Sequence, residues 1–544
     1  MARNWTRSAT AGTVSITTAL ITLLLLLPAC SRTPGSSAPL AGQARGTTQQ
    51  RAADPRPNIV LIMTDDQTLG ELKHMPKVKR YLTDEGTNFA NYFASFPLCC
   101  PARATLLTGQ YAHNHGVLDN VPPLGGNDRL DHSQTLPVWL QQVGYRTGHV
   151  GKYLNGYGDP SAGNRPATVP PGYDDWFGLV DCSPSPCAGT LNYWGFKVLD
   201  NGTERTYGDS DDEYQTDVLA ARAVQDIDRF TREGKPFYLT VWPLAPHSGQ
   251  GRGIPQFTLP DGRTVPIGVA PAAAPRHQSM FLNETAPRAA STFESDLSDK
   301  PAIIQSIRRE VDEGLANLQL DPNQIREILD ITYRARLQSL QAVDDLVEQV
   351  VRALERTGQL DNTIIAFSSD NGWMFGEHGL VFTKVVLYDE SVRVPMIVRG
   401  PGFPKARVVT QPTTDADWVP TVLEVTGASA PFPVDGEPLT QFAADPNSGK
   451  DRAVLLEAWH QGRERSWQAS GVRVAGFVYI EWDTGDRELY DLFNDPFQLD
   501  NKADNPVYAR TQARLATALD ELRSCLGQGC SVVVAQQEVR RSPD

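Results

Sequence analysis

Three segments of the chain are almost entirely apolar, and polar residues follow each of them closely. They span residues 58–63, 237–241 and 363–367. Because both faces of such a strand must be buried, apolar runs of this kind are typical of the centre of a parallel sheet. The polar residues that follow these runs are Asp65, Asp66, His247, Asp370 and Asn371.

A long helix is predicted just before the third of these strands. Apolar residues recur with helical spacing over residues 331–356, and Gly358 is suited to cap the end of the helix. Alternation of strands and helices predicts an α/β fold with a large mixed, mostly parallel sheet flanked by helices. Ligands of open α/β sheets bind beyond the carboxyl ends of the strands, which is where the polar residues stand.

The pattern changes after about residue 427, which indicates a second, smaller unit. Short alternating segments near 453–457, 471–474 and 476–480 predict antiparallel strands, and residues 509–522 predict a helix. We therefore divide the folded chain into a large α/β domain, 55–430, and a C-terminal α+β subdomain with its tail, 431–544.

The first 54 residues are typical of an export signal and a tether. Arg3 and Arg7 precede an apolar stretch that ends at Leu27, which predicts a signal peptide over 1–29. Leu27 to Cys30 also resembles a bacterial lipobox, in which Cys30 is lipidated. Residues 30–54, rich in small and polar residues, predict a disordered tether. We expect an exported lipoprotein on the outer face of the cell membrane; the alternative is plain secretion.

Charge and cysteine content narrow the possible partners. The 544 residues carry a formal net charge of -14, which argues against nucleic acid as a partner and against membrane contact other than through an N-terminal lipid. An anionic substrate would need a local positive site. Two close cysteine pairs, Cys182/Cys187 and Cys525/Cys530, would form disulfides in an exported protein, although reduced pairs are the alternative.

Such a positive site is predicted at residues 99–103, Cys-Cys-Pro-Ala-Arg. Pro101 fits the first turn of a helix, where its missing backbone donor is not needed. The free amides of that turn attract anions, and Arg103 adds a permanent charge with a forked donor face. The plainer interpretation of Cys99 and Cys100 is a pair of buried or metal-binding cysteines.

Residues 99–109 resemble the signature of the sulfatases, which belong to the alkaline phosphatase superfamily. The run reads Cys-Cys-Pro-Ala-Arg-Ala-Thr-Leu-Leu-Thr-Gly. The resemblance implies that a formylglycine-generating enzyme oxidises Cys99 to the catalytic aldehyde and that the domain over 55–430 is catalytic. Residues 151–155, Gly-Lys-Tyr-Leu-Asn, resemble the N-acetylglucosamine-6-sulfatase branch of that family.

The polar residues after the first and third strands are candidate ligands of a metal ion. Hard cations prefer such oxygen donors, whereas zinc is expected to use more histidine and cysteine. An Asp that follows a strand is more often a turn residue or helix cap, but two acidic pairs strengthen the metal interpretation. The resemblance implies that calcium, rather than magnesium, is held by Asp65, Asp66, Asp370, Asn371 and the oxidised Cys99.

The resemblance also implies roles for residues farther along the chain. Arg103 would hold the hydrated aldehyde, Lys152 and Lys384 would bind sulfate, and His247 would donate a proton to the leaving alcohol. Leu154 stands where most relatives carry a histidine, so another histidine would have to assist sulfate elimination. The remaining substrate-binding candidates are His113, His115, Asn155 and His378. A structural role is the alternative for each of these.

Hydrolysis of sulfate esters is the function that the sequence favours, with a sulfated sugar such as glucosamine 6-O-sulfate, or a small sulfate ester, as substrate. One alternative is a phosphate mono- or diester, or phosphonate ester, hydrolase of the same superfamily. A second alternative is a non-catalytic envelope lipoprotein that binds sulfated glycans while Cys99 stays unmodified.

Overall fold

The structure is a computed structural model that describes residues 54–183, 187–461 and 466–535. The predicted signal peptide, the candidate lipidation site Cys30 and all but the last residue of the predicted tether lie outside the described residues.

Half of the described strands belong to one ten-stranded sheet, in the order β15-β2-β14-β11-β1-β8-β4-β5-β6-β7. Its strands, in chain order, are β1 Asn58–Thr64, β2 Thr87–Phe89, β4 Arg146–Gly151, β5 Asp175–Leu179, β6 Lys197–Asp200, β7 Thr203–Thr206, β8 Phe237–Trp242, β11 Thr363–Ser369, β14 Met396–Arg399 and β15 Arg407–Val409. Short two-stranded sheets are formed by β3 Tyr92–Phe93 with β16 Thr413–Thr414, β9 Gln256–Thr258 with β10 Thr264–Pro266, and β12 Met374–Phe375 with β13 Val381–Thr383.

The α-helices lie mostly in the connections between these strands. In chain order they are α1 Pro76–Val78, α2 Cys99–Thr108, α3 Ala112–His115, α4 Leu136–Gln142, α5 Gln215–Glu233, α6 Ala302–Asn317, α7 Pro322–Arg356, α8 Asp389–Val392, α9 Trp418–Thr426, α10 Leu439–Ala444 and α11 Ala509–Leu522.

The centre of the large sheet is parallel, as the apolar runs predict. Strands β11, β1, β8, β4 and β5 are parallel neighbours, whereas β14, β6 and β7 pair antiparallel. The register aligns Thr64 with Ser369 at the ends of β1 and β11. The polar residues that follow these two strands therefore emerge side by side.

Helices cover both faces of the sheet. Ile59 and Leu61 of β1 pack with residues of α2, α4 and α9 on one face, while Val60 and Ile62 pack with α5 and α7 on the other. Successive side chains of a strand point to opposite faces, so a strand buried on both faces must be apolar throughout.

Helix α7 begins nine residues earlier than predicted. Asp321 caps it by accepting hydrogen bonds from the backbone N–H groups of Asn323 and Gln324, and Pro322 occupies the first helical position. Ile325, Ile328 and Leu329 of this first part pack in two small hydrophobic clusters apart from the core of the large sheet. The apolar spacing therefore continues toward the start of the helix, and the predicted start was placed too late.

The C-terminal part contains an antiparallel sheet and a helix, as predicted. The strands are β17 Val454–Gln461, β18 Ser466–Val474, β19 Phe477–Trp482 and β20 Arg487–Asp491, paired in sequence order. Helix α11 packs on this sheet through Leu515, Leu519 and Leu522. Disulfide bonds join Cys525 to Cys530 here and Cys182 to Cys187 in the large domain.

Within the described ranges, none of the helices combines the length and the apolar character needed to cross a bilayer.

Candidate active site

Four polar side chains meet at the carboxyl ends of β1 and β11. The amide of Asn371 donates a hydrogen bond to Asp66 Oδ1 at 2.6 Å, and the backbone N–H of Asp66 donates to Asp370 Oδ1 at 3.1 Å. Asp65 and Asp66 directly follow β1, and Asp66 adopts a left-handed backbone conformation with φ 65°. All four residues are buried. The parallel register of the two strands therefore creates the oxygen-rich cluster that the sequence predicts.

The amino end of α2 reaches this cluster. Cys99 is the first residue of the helix, and its sulfur lies 3.6 Å from Asp65 Oδ1. Arg103 is fully buried and lies 3.0 Å from Asp65 Oδ2 and 2.8 Å from Asp370 Oδ2. Its guanidinium also donates to the carbonyl of Lys152 at 3.0 Å. Arg103 thus holds carboxylates from both strands in place next to Cys99.

Two lysines complete the ring of positive charge. Lys152 directly follows β4, and its ammonium group contacts Asp65 Oδ2. Lys384 directly follows β13, and its Nζ contacts Asp66 Oδ1 and lies 3.2 Å from Cys99 Sγ. The two lysines approach the cluster from different parts of the fold. Lys152 follows a strand of the large sheet, and Lys384 follows the second strand of the β12–β13 hairpin.

His247 stands at the edge of the cluster. Its Nε2 lies 3.6 Å from Asp66 Oδ2, and its Nδ1 lies 2.7 Å from the carbonyl oxygen of Ser248. A hydrogen bond to that carbonyl places a proton on Nδ1 and leaves Nε2 to face Asp66. His247 is partly exposed, so its ring lies between the buried carboxylates and solvent.

The electrostatics of the cluster follow from burial and from the basic side chains around it. Burial by itself raises the pKa of Asp65, but nearby Lys152, His247, Arg103 and Lys384 outweigh it and lower that pKa below its ordinary value. Burial and the charge of Asp65 raise the pKa of the Cys99 thiol to about 12. The thiol is therefore protonated at neutral pH. Since the thiolate is the nucleophilic form of cysteine, unmodified Cys99 is a poor nucleophile here.

Two buried oxygens of the cluster fit a bound cation. Asp66 Oδ2 and Asn371 Oδ1 have no hydrogen-bond partner among the described residues. Ligand atoms of Asp65, Asp66, Cys99 and His247 all lie within 4.8 Å of one another. Buried polar groups are normally satisfied, so two orphaned acceptors beside three carboxylates indicate a site for a hard cation.

The structure places His113 and His115 in hydrogen bonds away from this cluster. His113 Nδ1 lies 3.0 Å from Glu457 Oε1 of β17, and its Nε2 lies 3.1 Å from the carbonyl of Cys525. His115 Nε2 lies 3.1 Å from Thr105 Oγ1, and burial lowers the pKa of its ring to about 3. The ring of His113 therefore links α3 to β17 and to Cys525, and the ring of His115 links α3 to α2.

Asn155 and His378 are also engaged by protein groups. The backbone N–H of Asn155 donates to Cys100 Sγ at 3.0 Å, so Asn155 supports the residue after Cys99. His378 is buried, and its Nδ1 lies 2.7 Å from Glu294 Oε2. Its Nε2 is buried without a hydrogen-bond partner among the described residues.

A buried ion pair that no sequence motif indicates lies behind the cluster. Arg336 of α7 lies 2.7 Å from Glu71, and its Nη2 donates to the backbone carbonyl of Asp66 at 2.5 Å. Glu71 also accepts from the backbone N–H of Thr68. The only sequence signal was an arginine on the apolar face of a helix, which by itself does not identify a partner 265 residues away.

A cavity of about 820 Å³ opens from Lys384 and His247. Its walls come from Trp373, helix α6, residues 381–386, and Thr484 and Asp486 of the turn between β19 and β20. This volume is in the range of pockets that hold a small organic ligand such as a monosaccharide.

The segment that carries Lys384 is strained. Phe382 has φ 59° and Val385 has φ 78°, values that non-glycine residues rarely adopt. For the β-branched Val385 this conformation is a genuine outlier. Such strain persists where surrounding structure imposes it, and it is concentrated at functional sites. Here it holds Lys384 between the cavity and the carboxylates.

Comparison with known proteins agrees with this arrangement. The family model described as Sulfatase matches residues 57–428, and the model described as N-sulphoglucosamine sulphohydrolase, C-terminal, matches residues 376–525. An arylsulfatase of Volvox carteri is 34% identical over 530 residues, covering 88% of this chain and 76% of the relative. An N-acetylglucosamine-6-sulfatase of Capra hircus is 32% identical over 534 residues, covering 90% of this chain and 87% of the relative.

A solved structure shares the fold. The structure of BT4656 in complex with its substrate, D-glucosamine-2-N,6-O-disulfate, has a TM-score of 0.67 and 24% identity, covering 86% of this chain and 97% of that chain. With the family match over more than half of the sequence, the chain belongs to the sulfatase family and is a sulfuric ester hydrolase.

Proposed function

We propose that the protein hydrolyses the 6-O-sulfate of a glucosamine, through a formylglycine made from Cys99 and a bound calcium ion. The observation that carries the proposal is the geometry around Cys99. Its side chain lies 3.2 Å from the ammonium group of Lys384, which lines an 820 Å³ cavity, and 3.6 Å from a carboxylate oxygen of Asp65.

The cation would be held by Asp65, Asp66, Asp370, Asn371 and the oxidised side chain of residue 99. The orphaned oxygens of Asp66 and Asn371 support this ligand set. Calcium favours several oxygen ligands in irregular geometry, which suits carboxylates contributed by two neighbouring strands. When both are present, the hydrated aldehyde and the cation supply an activated oxygen nucleophile for attack on sulfur.

The residues of the chain then bind, orient and neutralise the substrate. Lys384, at the boundary between cavity and cluster, and Lys152 offset the charge on the sulfuryl oxygens, as cations aimed at developing charge do in a water-poor site. Arg103 is fully occupied by Asp65, Asp370 and the carbonyl of Lys152, so it fixes the positions of the carboxylates and of the start of α2.

His247 is the proton donor that we propose for the leaving alcohol. Its Nε2 faces the cluster while its Nδ1 is fixed by the carbonyl of Ser248, and its ring lines the cavity in which the sugar would lie. A histidine ring held in this position can donate a proton to an alkoxide and take one back from water.

The mass of the peptide that contains Cys99 tests the proposal directly. In protein purified with its maturation enzyme, we expect that peptide to be lighter by the change from CH2SH to CHO. Cys99→Ala should abolish hydrolysis of 4-nitrophenyl sulfate, whereas Cys100→Ser, the matched neighbour, should keep both the mass change and the activity. A fully active protein with an unchanged thiol at residue 99 would refute the aldehyde.

The substrate is tested by release of sulfate from 6-O-sulfated glucosamine derivatives, with phosphate monoesters and phosphonate monoesters in parallel. We expect the sugar sulfates to give the highest kcat/KM. Faster turnover of the phosphorus esters would overturn the choice of substrate, although not the membership of the family.

Export with a lipid on Cys30 also remains a proposal, supported by the N-terminal sequence and by two disulfides in the folded chain. Metabolic labelling with palmitate tests it. Label that disappears in Cys30→Ser supports the anchor, and unlabelled protein in the medium contradicts it.

A further inference from the structure

The cavity that opens from Lys384 has opposite charges at its two sides. Of the described residues that line it, the titratable ones are His247, Glu310, Lys384 and Asp486. His247 and Lys384 belong to the catalytic cluster. Glu310 lies on α6, and Asp486 lies in the turn between β19 and β20. The positive charge therefore belongs to the catalytic cluster, and the negative charge comes from α6 and the turn between β19 and β20, which together are called the outer wall below.

Neighbouring arginines do not cancel these carboxylates from within the cavity. Arg309 directly precedes Glu310 on α6 but does not line the cavity, and Arg308 donates to both carboxylate oxygens of Asp312 and to the carbonyl of Glu294. Asp486 accepts one hydrogen bond from the hydroxyl of Thr484, which also lines the cavity. A hydroxyl partner leaves the negative charge of Asp486 in place, so the outer wall presents a negative potential to a bound sugar.

We infer that Glu310 and Asp486 select among sulfated amino sugars by charge, favouring a glucosamine 6-sulfate with a free, protonated amine and opposing one that carries a second sulfate on nitrogen. The inference rests on the proposed function, because it takes the 6-O-sulfate to lie at Lys384. Both carboxylates line the same 820 Å³ cavity as that lysine, so they face the part of the sugar that the sulfate does not occupy.

The physical reason is the short distance within so small a cavity. Charges less than a Debye length apart are only partly screened. A ligand with the same charge as the wall of the site is therefore repelled, and such repulsion is a common source of specificity. A protonated amine is attracted to the outer wall, an acetamide is neutral to it, and an N-sulfate is repelled.

The test compares three substrates at about pH 6.5, below the pKa of ordinary amines. They are glucosamine 6-sulfate, N-acetylglucosamine 6-sulfate and N-sulfoglucosamine 6-sulfate. We expect kcat/KM to fall in that order, by about tenfold or more between the first and the third. In the double variant Glu310→Gln/Asp486→Asn, that ratio should shrink toward one, mainly through KM, and added salt should shrink it in the unmodified protein.

Matched controls keep the result interpretable. Glu313→Gln removes a charge from the exposed side of the same helix, and Asp483→Asn removes one from the same turn; neither residue lines the cavity. These controls should leave the substrate ratio unchanged. All variants should hydrolyse 4-nitrophenyl sulfate, which carries no second charge near the sulfate, within about twofold of the unmodified protein.

Two results would overturn the inference. One is an N-sulfated substrate that is hydrolysed as well as the free amine, and the other is a substrate ratio that the double variant does not change. Failure of the proposed function gives a different result, in which aryl sulfate is hydrolysed while none of the three sugars loses its 6-O-sulfate.

Discussion

Arg336 and Glu71 form an ion pair in which both side chains are almost completely buried. The two bridging distances are 2.7 Å and 2.8 Å. Arg336 also donates to the backbone carbonyl of Asp66, and Glu71 belongs to the 3-10 helix Leu69–His74 that follows the loop with Asp65 and Asp66. The pair thus fastens the loop that carries two proposed calcium ligands to helix α7.

Removing the arginine from this pair should be costly. Arg336→Met leaves Glu71 as an unpaired buried charge, so we expect the free energy of unfolding to fall by about 3–5 kcal/mol. Because the carbonyl of Asp66 also loses its donor, we expect a weaker calcium affinity. Urea denaturation with excess calcium, and calorimetric titration of the apo protein, measure the two effects.

The control for this experiment is Arg352→Met on the same helix. Arg352 is exposed and pairs with Glu348 four residues earlier, an arrangement worth at most about 1 kcal/mol. Equal losses of stability in the two variants would show that the buried pair has no special role. An unchanged calcium affinity in Arg336→Met would remove its link to the metal loop.

The fold was predictable where local pattern determines it. The apolar runs identified β1, β8 and β11, and helical spacing predicted the bounds of α11 as the structure has them. The same pattern placed the polar residues after β1 and β11, because parallel strands end at one edge of the sheet. Helix α7 was predicted only from residue 331, although Ile325, Ile328 and Leu329 continue its apolar spacing.

The site was predictable only as far as motifs extend. Family motifs were enough to name five residues that the structure brings together, which are Cys99, Arg103, Lys152, His247 and Lys384. Glu71 and Arg336 matched none, and their contact depends on packing between segments 265 residues apart. His113 and His115 stand in a motif, yet their ring nitrogens bond to β17, to Cys525 and to Thr105. Such long-range partners follow from tertiary packing rather than from local sequence.

Lys384 should matter for catalysis more than for folding. Lys384→Met keeps the length of the side chain but removes the charge beside Cys99, so we expect kcat/KM for 4-nitrophenyl sulfate to fall by about 10²–10³. Lys405→Met, which removes an exposed lysine paired with Glu85, should leave the rate unchanged. A Lys384 variant with nearly full activity would exclude this lysine from sulfate binding.

The orphaned oxygens predict which substitutions weaken metal binding. Asp66→Asn and Asn371→Ala should each lower calcium affinity by about 10–100-fold, because each removes or neutralises an acceptor that has no other described partner. Dialysis followed by elemental analysis measures the bound ion independently of activity. Asp84→Asn, at an exposed ion pair with Lys79, is the control. Full calcium occupancy in both site variants would place the ion elsewhere.

His113 should stabilise the protein in a pH-dependent way. Burial lowers its pKa, but the hydrogen bond and charge of Glu457 outweigh burial, so the pKa of the folded protein lies above the ordinary value of 6.5. A raised pKa means that the stabilisation is complete below about pH 6.5 and is lost as pH rises through the pKa of the folded state. His113→Gln should therefore cost about 1.5–3 kcal/mol at about pH 5, but only about 0.5–1.5 kcal/mol at about pH 8.

His132→Gln is the control for His113→Gln, because the pKa values of the two rings are shifted in opposite directions. Burial lowers the pKa of His132, which lies 3.0 Å from Tyr153 Oη and 2.9 Å from the carbonyl of Asn127. A lowered pKa means that the folded state takes up the proton less readily than the unfolded chain, so His132→Gln should cost less at low pH than at high pH. Denaturation curves for both variants at the two pH values should show opposite trends. If His113→Gln instead lowers kcat while stability is unchanged, His113 acts in catalysis rather than in joining α3 to the C-terminal sheet.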